Sequence, residues 1–178
     1  MYDSVRSLLE LVQEAVSPWH TVQAVRKRLS KADFQPLKLG EKWQLESGKS
    51  YYLEAFGSTV LAFTIGCNGY TEANNLRIAA SHTDFPGLRI KPQASVIKDG
   101  YGVLNIESYG GLILASWQDR PLSIAGKITL KGQDAFHPQV RLVDFAKPLL
   151  TIPELAIHMN RKVNEGVALK KQKEMLPL

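Results

Sequence analysis

Leu76-Arg77-Ile78-Ala79-Ala80-Ser81-His82-Thr83-Asp84-Phe85-Pro86-Gly87-Leu88-Arg89-Ile90-Lys91-Pro92 is the stretch whose reading decides the fold. An apolar run stops abruptly at a polar cluster, and Pro86-Gly87 supplies turn chemistry beyond it. Residues 77–80 are short, mostly small and apolar, the composition of a strand covered on both faces. In α/β folds ligands gather at the carboxyl ends of such strands, so residues 81–84 are the first place to look for chemistry. One nitrogen of His82 can hold a metal while a carboxylate takes the N–H of the other, which fixes the tautomer and raises ligand basicity. Asp84, two positions on, is placed to do this for His82 or for another ligand. Ser81, Thr83 and Asp84 equally suit a plain loop cap with His82 hydrogen-bonded beside them, and spacing alone leaves both readings open.

Upstream, Val5, Leu8, Leu9, Val12 and Val16 recur at helical spacing and predict an amphipathic helix over residues 3–16. Ser17-Pro18 is a cap and first-turn pair, and Val22, Val25 and Leu29 give the stripe of a second helix ending near Ala32. Trp19 and His20 fall where the two helices meet, and His20 is read as a packing residue. Residues 50–56 and 59–65 are β-rich, with Gly57-Ser58 between them as a tight hairpin. Residues 70–75 read as a polar connection. Helices, then strands, then a polar cluster suit an α/β layer architecture.

Downstream, hydrophobic alternation at residues 103–106, 112–117, 122–130 and 140–143 is interrupted by Gly and Asp, which marks an antiparallel β module. The boundary is expected within residues 92–100, giving an α/β part at 1–92 and a β-rich part at 93–178. Ile152-Pro153-Glu154-Leu155-Ala156-Ile157-His158 predicts a short helix with Pro153 in its first turn and Leu155 and Met159 on one face. His158, Asn160 and Arg161 then gather hydrogen-bonding power at one spot, which by itself suits a structural helix cap before a functional role, whereas His137 before Pro138 reads as a surface turn residue.

With 178 residues, 44% hydrophobic and 22% charged, the chain can bury a core and fits one domain, or one small domain plus part of another. No apolar run approaches the ~18 residues of a membrane span, and Met1-Tyr2-Asp3 opens no secretory signal, so a cytoplasmic setting is expected. The single Cys67, in the turn Gly66-Cys67-Asn68-Gly69, permits no internal disulfide and is expected to be exposed. The net charge of +5 is scattered until Lys170, Lys171 and Lys173, without aromatic interleaving, so no nucleic-acid partner is expected. There is no phosphate-cradling glycine loop and no nucleophile elbow.

Four motifs, in order across residues 17–165, resemble the aspartyl aminopeptidases, di-zinc metallopeptidases with an α/β catalytic domain and an inserted β-rich dimerisation domain. They are Ser17-Pro18-Trp19-His20; Ser81-His82-Thr83-Asp84 with Pro86, Leu88, Arg89 and Lys91; Tyr109-Gly110-Gly111 with Trp117, Asp119-Arg120, Leu122 and Ala125-Gly126; and Ile152-Pro153 with Leu155-Ala156-Ile157-His158, Asn160-Arg161 and Val163-Asn164-Glu165. Phe85 and Gly87 depart from the family, which often has small polar residues or Cys there.

The resemblance implies a three-layer metallopeptidase-type catalytic domain, present in part at residues 1–92, and a dimerisation domain at 93–178 that stops short of its end. It implies His82 as a zinc ligand, Asp84 as the carboxylate orienting it, and His158 as a residue reaching a neighbouring subunit's active site to bind substrate or stabilise the oxyanion. It further implies two zinc ions, a peptide substrate with an acidic amino-terminal residue, and a homo-oligomer, either a dimer or a larger assembly of dimers. Family members are more than twice as long, and their further carboxylates and closing Asp and His have no counterpart here, so this chain reads as an amino-terminal piece that holds zinc weakly and does not turn over by itself. Two other functions fit the residues: a non-catalytic assembly or regulatory module, and a different amide hydrolase of the same metal clan.

Overall fold

The computed structural model describes residues 2–67, 76–166 and 168–177. In chain order its elements are α1 (Asp3–Glu14), α2 (Pro18–Lys31), β1 (Gln35–Leu37), β2 (Ser50–Ala55), β3 (Thr59–Thr64), β4 (Gly87–Lys98), β5 (Tyr101–Tyr109), β6 (Ala125–Leu130), β7 (Gln139–Asp144) and α3 (Lys171–Glu174). Short 3-10 turns occupy Leu114–Trp117 and Val163–Glu165. The backbone forms two compact units, Met1–Asp84 with Ala125–Val143, and Phe85–Ile124 with Asp144–Leu178. The expected turn residues Asn68 and Gly69, the polar connection at 70–75 and the last residue Leu178 lie outside the described residues.

In the first unit, α1 and α2 accompany a three-stranded sheet in the order β1-β2-β3. Ser17 is buried and caps α2: its Oγ accepts from the backbone N–H of His20 at 3.4 Å, while Pro18 occupies the first turn, where a missing N–H leaves no bond unmade. Val22 and Ala24 are the buried residues of this helix. Arg28 donates to both carboxylate oxygens of Glu14, at 3.0 and 3.2 Å, and so links the two helices. That bond, with Lys27 and Lys31 nearby, holds the Glu14 carboxyl below its ordinary pKa. The apolar stripe of α1 faces solvent, with Val5, Leu8, Leu9 and Val12 all exposed.

β2 is the centre of the sheet. It pairs in parallel with β1 and antiparallel with β3, in register from Ser50 opposite Thr64 to Ala55 opposite Thr59. Tyr51, Tyr52 and Leu53 are buried in succession, and because consecutive side chains of a strand point to opposite faces, both faces of β2 are covered. The two phenols are also satisfied, Tyr51 by accepting from Glu46 N–H at 2.9 Å and Tyr52 by Ser30 Oγ at 3.2 Å. β1 had no sequence signal, since three residues that include Pro36 are too few to show a period.

The expected strand at residues 77–80 is absent. Residues 76–80 pair with no strand among the described residues, and Leu76 and Ile78 are 79% and 82% exposed. A strand covered on both faces needs a neighbour on each edge, and here no described strand supplies one.

In the second unit, β4 and β5 form an antiparallel hairpin whose register shifts between Ile90 and Ser95. Pro92 lies in that shift, where the lack of an N–H breaks no ladder. Val103 and Ile106 of β5, Ile152, Met175 and Pro177 are the buried apolar residues among those described in this unit. The basic tail folds back onto the hairpin: Gln172 donates to Ile106 O at 3.1 Å, Lys98 to Lys173 O at 3.0 Å, and Leu104 N–H to Pro177 O at 3.0 Å.

Two further expectations are corrected here. Residues 112–117 were expected as a strand, yet Leu114–Trp117 is a 3-10 turn, because Ser116 donates both its N–H and its hydroxyl back to Ile113 O. Residues 152–158 were expected as a helix, but no helical bond involves 152–155 and only residues 157–159 turn. Asp119 engages this segment instead: its N–H donates to Ile152 O and its carboxylate accepts from Glu154 N–H, while Leu122 and Leu150 form an isolated antiparallel bridge. Backbone groups committed to a neighbouring segment are not available for a helix.

Candidate functional site

His82 and Asp84 meet, as their spacing suggested. The loop that carries them is anchored by Thr83, whose hydroxyl donates to the carbonyl of Ser58 at 2.8 Å. Ser58 belongs to the turn between β2 and β3, so the loop sits at the carboxyl end of β2. That turn is tight, since Gly57 has a φ of +72° and a side chain there would touch the Trp19 ring, 3.6 Å away.

His82 Nδ1 lies 2.7 Å from the Asp84 carbonyl oxygen and 3.1 Å from its Oδ1. Both are acceptors, so Nδ1 carries a proton, and in the neutral imidazole this leaves the lone pair on Nε2. The His82 side chain is 78% exposed and that of Asp84 29%. Nε2 makes no hydrogen bond among the described residues. The arrangement therefore fits one metal ligand with its orienting carboxylate. It does not complete a centre, because no group of three or more His, Cys, Asp or Glu that could hold a metal occurs among the described residues, and zinc takes three or four protein ligands.

His158 belongs to the second unit, on the turn at residues 157–159, and is exposed. The turn is closed by Met159 N–H and Asn160 N–H, both donating to Ala156 O at 2.8 and 3.1 Å. Upstream of it the chain is held by the fully buried Ile152 and by the bonds to Asp119. Its imidazole is presented by a loop, not by a helix face.

His20 is half-buried in α2 and its ring bonds: Nδ1 lies 2.7 Å from Ser17 Oγ. It lines an open cleft of about 500 Å³ with Glu14, Gln23, Ala24, Arg26 and Lys27, which contains none of His82, Asp84 and His158. His137 lies in the β6–β7 connection and pairs with Asp134 at 2.9 Å, a bond that holds the Asp134 carboxyl below its ordinary pKa with help from the N–H groups of Phe136 and His137. Cys67 is free and exposed. Two contacts of conjugated or charged groups were not legible in the sequence. Lys127 lies 4.9 Å above the Trp19 ring, and the Arg89 guanidinium stacks 3.2 Å from the centre of the Tyr109 ring. Both join residues far apart in the chain, for which a single sequence carries no signal. No helix among the described residues is long and apolar enough to cross a membrane.

Residues 11–178 match the family model described as aminopeptidase I zinc metalloprotease (M18). The chain is 42% identical over 172 residues to a protein named "Probable M18 family aminopeptidase 2" from Clostridium novyi, covering 96% of this chain and 40% of that relative. It is 38% identical over 174 residues to the Clostridium acetobutylicum protein of the same name, covering 97% and 40%. Among solved structures it is similar to a chain of the Ape4 and Nbr1 complex, at 34% identity and a TM-score of 0.89 over 96% of this chain and 32% of that one. It is also similar to Chaetomium thermophilum mApe1, at 28% identity and a TM-score of 0.81 over 96% and 39%. These neighbours agree with a mixed α/β fold. The chain spans about 40% of the length of the curated relatives it matches. With nearly all of its residues inside the family match, this chain belongs to the M18 family of aminopeptidase I zinc metalloproteases.

Proposed function

We propose that the whole protein to which this chain belongs is a zinc-dependent aminopeptidase that releases amino-terminal Asp or Glu from peptides, and that this chain is its amino-terminal portion. The observation that carries the reading is the His82–Asp84 pair at the carboxyl end of β2, with Nδ1 held by two acceptors and Nε2 without a hydrogen-bond partner among the described residues. His82 would hold one zinc ion, and Asp84 would keep the ring in its neutral tautomer and oriented. When bound, zinc supplies Lewis acidity toward the substrate carbonyl and lowers the pKa of water. The second ion and the base belong to residues supplied from outside this chain.

His158, exposed on its turn, is assigned to the site of a neighbouring subunit, where an imidazole can donate to the oxygen of a reacting carbonyl. That role makes the protein a homo-oligomer, and the β-rich part from residue 93 onward is assigned to its contacts. A cytoplasmic setting agrees with the exposed, unpaired Cys67.

The test uses the complete gene product and peptides beginning with Asp, Glu or neutral residues. Release of acidic residues that stops on chelation and returns with zinc is expected. His82→Ala should lower zinc content and abolish turnover, and Asp84→Asn should weaken zinc affinity by roughly 10–100-fold. His158→Ala should lower kcat and leave zinc content unchanged. Preference for neutral termini would make the protein another amide hydrolase of the same metal clan. A folded, metal-free and inactive protein would leave only an assembly role.

A further inference from the structure

We propose that Asp119 is a positioning residue for His158: it clamps the chain on both sides of Pro153 and so fixes the point from which the His158 turn projects. The inference rests on the assignment of His158 to a neighbouring subunit's site. Asp119 commits two groups to one short segment, its N–H donating to Ile152 O at 2.9 Å and its Oδ1 accepting from Glu154 N–H at 3.0 Å. Pro153, between them, has a fixed φ and no N–H, so the bracketed residues have little freedom left. The backbone at Asp119 has a φ of +51°, a left-handed conformation that Asp and Asn tolerate better than other residues with a Cβ. Such a conformation persists only where its surroundings hold it, and here both bonds do so.

The surrounding bonds make the anchor stiff and leave the chain beyond it loose. Leu122 N–H donates to Leu150 O at 2.9 Å, Leu122 O accepts from the N–H groups of Leu149 and Leu150, and Ile152 is fully buried. Among the described residues, no hydrogen bond ties residues 155–158 to another segment. The Glu154 N–H is therefore the last tether before the imidazole of His158. Leu155 and Ile157 are 54% and 51% exposed, so packing adds little restraint within this chain. A shift at the tether is carried to the ring, and a displacement of about 1 Å at a reacting group can cost about 100-fold in rate.

The experiment uses the complete gene product and the peptide it cleaves fastest. Asp119→Gly keeps the N–H and the left-handed backbone and removes only the acceptor, whereas Asp119→Asn keeps an oxygen in its place. Asp119→Gly is expected to lower kcat roughly 10–100-fold with zinc content and oligomer size unchanged, and Asp119→Asn to restore most of it. In the double variant Asp119→Gly with His158→Ala, kcat should be no lower than in His158→Ala alone, because a displaced ring and a missing ring are equivalent losses. A further loss in the double variant gives Asp119 a role apart from His158 and overturns the proposal. So does a kcat lowered by His158→Ala and untouched by Asp119→Gly. A kcat untouched by His158→Ala, or a protein without turnover, overturns the assignment of His158, and the role of Asp119 falls with it. Hydrogen exchange of the unmutated protein keeps the test open should the glycine variant fail to fold. There the Glu154 amide is expected to exchange at least about 10-fold more slowly than in an unstructured peptide, and exchange at the unstructured rate overturns the clamp.

Discussion

Two stretches of this chain have the composition of a strand buried on both faces, and only one of them is buried. In β2, Tyr51, Tyr52 and Leu53 are covered on each side, with β1 along one edge, β3 along the other and α2 contributing Val22 and Ala24 to the same core. Residues 76–80 have no described strand beside them and hold Leu76 and Ile78 in solvent. The difference teaches that apolar composition states what a segment can bury, whereas its edges decide whether it does. Backbone groups must be paired before a strand can leave water.

The largest effect that sharpens this contrast comes from Tyr51→Ala, which removes a fully buried aromatic side chain from the middle strand and leaves Glu46 N–H without its acceptor. A loss of about 3–5 kcal/mol in urea unfolding is expected. Ile78→Ser in the same chain should cost no more than about 0.5 kcal/mol, since that side chain is already in water. Equal costs would break the comparison. Next in size is Gly110→Ala. Gly110 has a φ of +73°, and an added Cβ would lie 3.3 Å from Pro86 Cα, so a loss of about 1–3 kcal/mol is expected by thermal or urea unfolding. Ser17→Ala removes the cap of α2 and the partner of His20 Nδ1, for a loss of about 1 kcal/mol that Ser17→Thr or Ser17→Asp should largely restore.

The smallest effect is a pH dependence. Arg28 holds the Glu14 carboxyl below its ordinary pKa in the folded chain, so the unfolded chain binds the proton more readily. The resulting stability is present above the unfolded value of about 4.3 and is lost as pH falls through the lower folded value. Glu14→Gln should flatten the unfolding curve in that range alone. A slope unchanged by the substitution would show that the pair, which is exposed, contributes nothing measurable.

Legibility in the sequence followed the range of the interactions. The two helices, the β2–β3 hairpin and the Ser17 cap were readable because caps, periods and tight turns act over a few residues. The His82–Asp84 contact was readable for the same reason. The exposure of residues 76–80, the turn in place of a helix before His158, and the Arg89–Tyr109 stack were not, because each depends on segments distant in the chain. The family resemblance added what spacing could not, the order of four motifs, and the match over residues 11–178 agrees with it.

The single hydroxyl of Thr83 on Ser58 makes the reach of an imidazole depend on the size of a turn twenty-five positions earlier. A residue inserted at Gly57-Ser58 would therefore shift His82 without altering any neighbour of His82 in sequence. Loop length is ordinarily the property of a protein that drifts most freely between species. At this one hairpin the drift is coupled to where the ring can point.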